Sequence, residues 1–160
     1  MTIKVGDRIP SVELKQAKDG KTQPVQSDEL FKGRKIVLFA VPGAFTPTCS
    51  VKHLPGFLSN HKALKAKGID EIFCVAVNDA YVMGAWSDQN DANGKVTMLA
   101  DGNGEFARAL GLETEMTKFG MGHRSRRYSM IVDDGVVKVL NLEEPGSFSV
   151  SSAEHLLEQL

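Results

Sequence analysis

Two cysteines, Cys49 and Cys74, stand in a chain of 160 residues, and their surroundings differ. Cys49 lies in the string VPGAFTPTCS, where two prolines fence a glycine, an aromatic residue and a threonine. The string follows the apolar run IVLFAV, Ile36 to Val41, so a strand runs into a tight loop that delivers a thiol. Thr46 reads as a helix N-cap with Pro47 at the first helical position. Cys49 then falls at about the third position, inside the first turn.

That placement favours a reactive sulfur. The thiolate is the nucleophile, and a free thiol with a pKa of about 8.5 is only about 3% ionised at pH 7. Lowering such a pKa to about 6 raises the thiolate fraction roughly 30-fold, worth ~2 kcal/mol. A helix start supplies unpaired N–H groups and a partial positive charge, and both favour the anion. Ionisation alone makes a sensor; an enzyme also needs donors aimed at the charge its reaction creates. Thr46, one turn before Cys49, can bring a hydroxyl to the same volume. Gly43 permits close backbone approach, and the prolines stiffen the loop. The bland alternative is a buried cysteine behind a well-capped connection between strand and helix.

The elements that must hold this loop can be read from the pattern. Ile3 to Lys15 roughly alternates, as an outer strand or strand pair would, and Lys18 to Gly20 is a turn signal. VQSDELFKG reads as a short helical turn. Ile36 to Val41 suits a central strand covered on both faces. Pro55 should kink or restart the helix after Cys49, and Gly68 should stop it. EIFCVAVND, Glu71 to Asp79, is a second buried strand, parallel to the first across a βαβ unit. A helix over YVMGAWSDQND, a strand over VTMLAD and a short helix over GEFARALG follow. RYSMIV and VVKVLNL, joined by Asp133 to Gly135, form an antiparallel hairpin. The last ten residues form a helix, with Ser151 and Glu154 in capping-box spacing. The order βαβ then ββα is that of a thioredoxin-like α/β fold: a central mixed β-sheet flanked by helices, in one domain over residues 1–160.

Composition narrows the function. With 42% hydrophobic and 24% charged residues the chain is globular, and its net charge of −1 gives no reason to expect nucleic acid or an anionic membrane. No apolar stretch approaches the ~20 residues of a membrane span. The first ten residues lack a signal peptide's apolar core, so the expected compartment is the cytoplasm. Two cysteines do not make a disulfide scaffold, which leaves burial, catalysis or redox sensing.

PGAFTPTCS resembles the active-site motif of the peroxiredoxins, in which Pro-x-x-x-Thr-x-x-Cys carries the peroxidatic cysteine. The longer VPGAFTPTCSVKHLPGF resembles the type II, peroxiredoxin-5-like branch, and FCVAVNDAYVMGAW and RYSMIVDDGVVKVLNLE are similar to that branch's middle and hairpin. The resemblance runs from about Ile3 to the C-terminus. It implies a thiol-dependent peroxidase for hydrogen peroxide and small organic hydroperoxides, without metal or organic cofactor. Cys49 would be the nucleophile, Thr46 the orienting hydroxyl, and Pro42 and Gly43 part of the substrate pocket. The family's arginine before the hairpin aromatic would be Arg127. Strand alternation puts Arg126 and Arg127 on opposite faces, and the resemblance selects Arg127.

Cys74, mid-run in IFCVAV, reads as a packed thiol, and a resolving role would require the first helix to unwind. The expectation is a one-cysteine cycle with glutathione, glutaredoxin or thioredoxin as reductant, in a homodimer paired through the face near the active site, as the resemblance to type II relatives implies. Trp86, the only tryptophan, belongs either to the core or to that dimer surface. His53, four residues after Cys49, suggests a Cys–His pair or a metal ligand, but no further ligands accompany it. The basic string GMGHRSRRYS could grip phosphate. The competing class is a non-enzymatic redox sensor or chaperone that uses the same cysteine.

Overall fold

The computed structural model describes residues 2–160. The strands are β1 (Glu13–Lys18), β2 (Lys21–Gln26), β3 (Lys35–Ala40), β4 (Glu71–Ala76), β5 (Thr97–Ala100), β6 (Glu113–Glu115), β7 (His123–Ser125), β8 (Tyr128–Asp133) and β9 (Val136–Leu142). The helices are α1 (Ser27–Leu30), α2 (Leu54–Ala66), α3 (Ala80–Gln89), α4 (Glu105–Leu110) and α5 (Ala153–Glu158). Seven strands form one sheet in the order β2-β1-β5-β4-β3-β8-β9, and β6 pairs with β7 beside it. β3, β4 and β5 run parallel, while β8 joins β3 antiparallel. This is the thioredoxin-like α/β fold that the strand order implied.

The two central strands are apolar throughout because both faces are covered. Val37, Phe39, Cys74 and Ala76 face one cluster with Leu54, Phe57, Met83 and Trp86 from α2 and α3. Ile36, Leu38, Phe73 and Val75 face the other, against Phe31, Phe106 and Leu110. A period of two therefore sorts one continuous run into two cores.

Two expectations need correction, and two short strands were not foreseen. The N-terminal strand begins only at Glu13; before it, Ile3, Gly6 and Ile9 donate backbone bonds to Leu110, Val137 and Gly135. Alternating side chains there reflect a segment laid along the sheet edge. The cap of α5 is Ser152, which accepts from the His155 N–H, one residue later than the capping-box spacing suggested. Ser151 is diverted because its hydroxyl and N–H both bind Glu143. Finally, β6 and β7 were not legible, since three-residue strands carry too few positions for a period. No helix is long and apolar enough to cross a membrane among the described residues.

Candidate active site

The Cys49 loop leaves the carboxyl end of β3, where ligands of open α/β sheets commonly bind. Its helix begins at Pro47, so Cys49 is third, as the spacing implied. Cys49–His53 then winds as a π turn before α2, with the Leu54 N–H on the Cys49 carbonyl and Pro55 in the first turn of α2. Such wide turns recur at functional sites. Phe39 of β3 stacks on Phe57 at 4.0 Å and touches the His53 ring at 4.9 Å, which pins the π turn to the sheet. The Ala44 N–H donates to Asn78 Oδ1 at 2.9 Å and ties the loop to the neighbouring strand end. Trp86 Nε1–H donates to Ser50 Oγ at 3.0 Å; in the single chain Trp86 is core.

Thr46 occupies the N-cap position but does not cap. Its hydroxyl donates to the Gly43 carbonyl at 2.6 Å. The Cys49 N–H, which an N-cap oxygen would otherwise take, has no acceptor among the described residues. One unpaired N–H and the hydroxyl's lone pairs are thus left for something else. Gly43 is needed for close packing rather than for an unusual dihedral angle: a Cβ there would lie 3.0 Å from Arg124 Nη1 and 3.2 Å from Met121 Cε and Thr46 Cγ2.

Arg127 reaches the sulfur. Its Nη2 donates to Cys49 Sγ at 3.1 Å, and its Nη1 donates to His53 Nδ1 at 2.8 Å. An arginine has no acceptor, so Nδ1 must be the bare nitrogen. Nε2 then carries the proton and donates to the Ser151 carbonyl at 2.9 Å. Burial, followed by the neighbouring Arg127 charge, lowers the His53 pKa from 6.5 to about 3. His53 is therefore neutral and serves the arginine, neither pairing with Cys49 nor meeting other ligands. No cluster of three or more His, Cys, Asp or Glu side chains suited to a metal exists among the described residues.

Arg126 and Arg127 both line a cleft of about 440 Å³, together with Pro42, Thr48, Met116 and Phe119. Both lie just before β8, so strict strand alternation does not govern them. Only Arg127 touches the sulfur; Arg126 Nη2 donates to the Glu143 carbonyl at 3.0 Å. Arg124 donates to the carbonyls of Pro42 and Met121. The three guanidinium groups are thus engaged within the protein, which leaves the phosphate reading of this string without support. Gly43 does not line the cleft, whereas Pro42 does. Cys49 and Cys74 are both free and fully buried. Cys74 sits mid-β4 between Phe39 and Met98, and burial pushes its thiol well up.

A buried sulfur with a guanidinium on it, an idle N–H and a hydroxyl beside a cleft can receive a small polar oxidant. A protein-family model described as Redoxin matches residues 4–157. The chain belongs to the peroxiredoxins. It is 55% identical to "Peroxiredoxin-2E-2, chloroplastic" of Oryza sativa subsp. japonica over 99% of this chain and 73% of that protein. It is 45% identical to "Peroxiredoxin-2B" of Arabidopsis thaliana, covering 99% and 98% of the two chains. Among solved structures, reduced Prx3 of Vibrio vulnificus in complex with hydrogen peroxide superposes with a TM-score of 0.94 at 50% identity, covering 99% of each chain. As a peroxiredoxin, the protein is a thiol-dependent peroxidase, an oxidoreductase.

The residues that sequence reasoning missed are those behind Arg127. Glu143 and Phe148 carry no local signal, and the partner of His53, Arg127, lies 74 positions away in the chain. Phe148 lies 5.0 Å from the His53 ring and 5.9 Å from the Arg127 guanidinium carbon. Each acts across a long stretch of sequence.

Proposed function

We propose that Cys49 is the peroxidatic nucleophile of a one-cysteine, type II peroxidase confined to one domain over residues 1–160. The observation that carries this is Arg127 Nη2, 3.1 Å from Cys49 Sγ with its other amine held by His53. The Cys49 thiolate attacks the near oxygen of the peroxide in line with the O–O bond. The S–O bond forms, the O–O bond breaks, and the far oxygen leaves as hydroxide or alkoxide and takes up a proton. Charge moves from sulfur to the departing oxygen, and Arg127 with the Cys49 N–H stabilises it at fixed positions. Thr46, already donating to Gly43, accepts the peroxide O–H and so orients the substrate. Pro42 walls the cleft and Gly43 lets the loop close beneath Arg124.

The product is a sulfenic acid. An external thiol condenses with it, releasing water, and a second thiol reduces the mixed disulfide. The burial of Cys74 and its raised pKa support glutathione, glutaredoxin or thioredoxin in that role rather than Cys74. Phe45 and Val51 flank Cys49 in the chain, Phe119 lines the cleft beside Arg127, and all three are exposed; they suit a second copy, giving a homodimer. We place the protein in the cytoplasm, a compartment where both thiols stay reduced; two relatives named chloroplastic make the plastid the competing location.

The test is stopped-flow oxidation of reduced protein by stoichiometric hydrogen peroxide, followed by Trp86 fluorescence, beside Cys49→Ser. Oxidation orders of magnitude faster than an ordinary thiolate, and absent in the variant, is expected. An unchanged trace in Cys49→Ser would remove Cys49 from the role.

A further inference from the structure

Glu143 lies where the hairpin β8–β9 opens, opposite Arg127, to whose carbonyl it donates its own N–H at 3.1 Å. The residue is 3% exposed, yet no cation pairs with its carboxylate among the described residues. Instead Oε2 accepts from three successive backbone N–H groups, those of Ser149, Val150 and Ser151, at 2.8, 2.9 and 2.8 Å. The Ser151 hydroxyl donates to the same oxygen at 2.7 Å, and the Ser149 hydroxyl reaches Oε1 at 3.4 Å. Bonds to an ionised carboxylate are the strong kind, and together they fix the course of residues 149–151.

The fixed segment has one acceptor that matters. The Ser151 carbonyl receives His53 Nε2–H, so its position sets the ring's orientation and tautomer. The tautomer in turn presents a bare Nδ1 to Arg127 Nη1, and the guanidinium plane then aims Nη2 at Cys49 Sγ. Every link is forced by donor and acceptor chemistry: the carboxylate and carbonyl only accept, and the guanidinium only donates. We propose that Glu143 is the positioning residue for the Arg127 guanidinium, acting through the Ser151 carbonyl and the His53 ring. A loop staple with no bearing on the reaction would not need its neighbouring carbonyl to be the acceptor for the ring N–H of a buried histidine that holds the arginine. Without Glu143 the Ser151 carbonyl drifts, His53 loses its anchor, and the guanidinium no longer has one orientation. A misplacement of about 1 Å at such a group costs on the order of 100-fold in rate.

This inference rests on the role given to Arg127 above, and the experiment separates the two. The second-order rate constant for oxidation by hydrogen peroxide is measured by stopped flow in wild type, Glu143→Ala, Glu143→Gln, Arg127→Lys and the double variant Glu143→Ala/Arg127→Lys. Glu143→Ala should slow oxidation about 10- to 100-fold. Glu143→Gln keeps one carbonyl oxygen in the Oε2 place and should stay within about 3-fold of wild type, because the cradle needs an acceptor there. In the Arg127→Lys background, Glu143→Ala should change the rate less than about 2-fold, since its target is already gone. A full Glu143→Ala effect in that background, or none in the wild-type background, overturns the proposal and leaves Arg127 standing. An Arg127→Lys variant as fast as wild type overturns both. Should Glu143→Ala fail to fold, His53→Phe takes its place in the same cycle. That ring fits among Phe39, Phe57 and Phe148 but offers Arg127 no acceptor, and additivity with Arg127→Lys would refute the relay.

Discussion

Replacing His53 by phenylalanine should remove most of the acid sensitivity of the fold between pH 7.5 and 5. In the folded protein the His53 pKa is lowered to about 3, against an ordinary 6.5, by burial and by the Arg127 charge. Below pH 6.5 the unfolded chain takes up a proton that the folded chain refuses, so acid favours unfolding. The contribution is present in full above pH 6.5 and is lost as pH falls toward 3. At pH 7.5 the loss is negligible; at pH 5 it reaches ~2 kcal/mol. That figure holds for any folded value well below 5.

Other shifted groups do not blur the comparison. Hydrogen bonds from Ser151, Ser149 and Val150 outweigh the upward push of burial on Glu143 and leave it below its ordinary 4.5, so its contribution is lost only in stronger acid. Asp101 runs the other way: burial raises it despite N–H donors from Phe106 and Ala107, and its favourable share belongs to acid. Wild type and variant have both groups in common. Urea denaturation at fixed protein concentration, read by Trp86 fluorescence, should show the wild-type midpoint falling by about 1 M between pH 7.5 and 5, given a slope of ~2 kcal/mol/M for a chain of this size. The variant starts lower because Arg127 loses an acceptor, yet its midpoint should fall far less. Equal falls in the two proteins would refute a neutral, buried His53 and with it the tautomer assigned above.

Thr46→Val removes the hydroxyl from Gly43 and from any peroxide; oxidation by hydrogen peroxide should slow about 100-fold in stopped flow, with little change in unfolding midpoint. Gly43→Ala puts a Cβ 3.0 Å from Arg124 Nη1 and 3.2 Å from Thr46 Cγ2, so thermal melts should show a loss of roughly 1–3 kcal/mol, with slower oxidation. Cys74→Ala should retain both the first oxidation and turnover with a monothiol in a coupled peroxidase assay, and loss of turnover alone would make Cys74 the resolving cysteine. Sedimentation at micromolar concentration should show a dimer, with Phe119→Glu shifting it toward monomer if the exposed apolar residues near Cys49 form its face.

The string PGAFTPTC, the two apolar strands and the hairpin turn were legible because each is encoded within a few consecutive residues. Proline fixes φ, a cap must precede its helix, and a strand buried on both faces must be apolar throughout. The third helical place of Cys49 and the restart at Pro55 followed from that local grammar alone.

What the sequence could not settle were the partners of those residues. Arg127 lies 78 positions from Cys49 and 74 from His53, and Ser151 lies 98 from His53. Ser151 and Ser152 look equally fit to cap α5 until Glu143 claims the first. Thr46 looks like a capping side chain until the Gly43 carbonyl takes its proton. The sequence by itself determined which thiol stands at a helix start and which elements carry it there. Only the tertiary structure decided which donors face that thiol, because an acceptor is filled by whatever group the folded sheet brings within 3 Å, however distant in the chain.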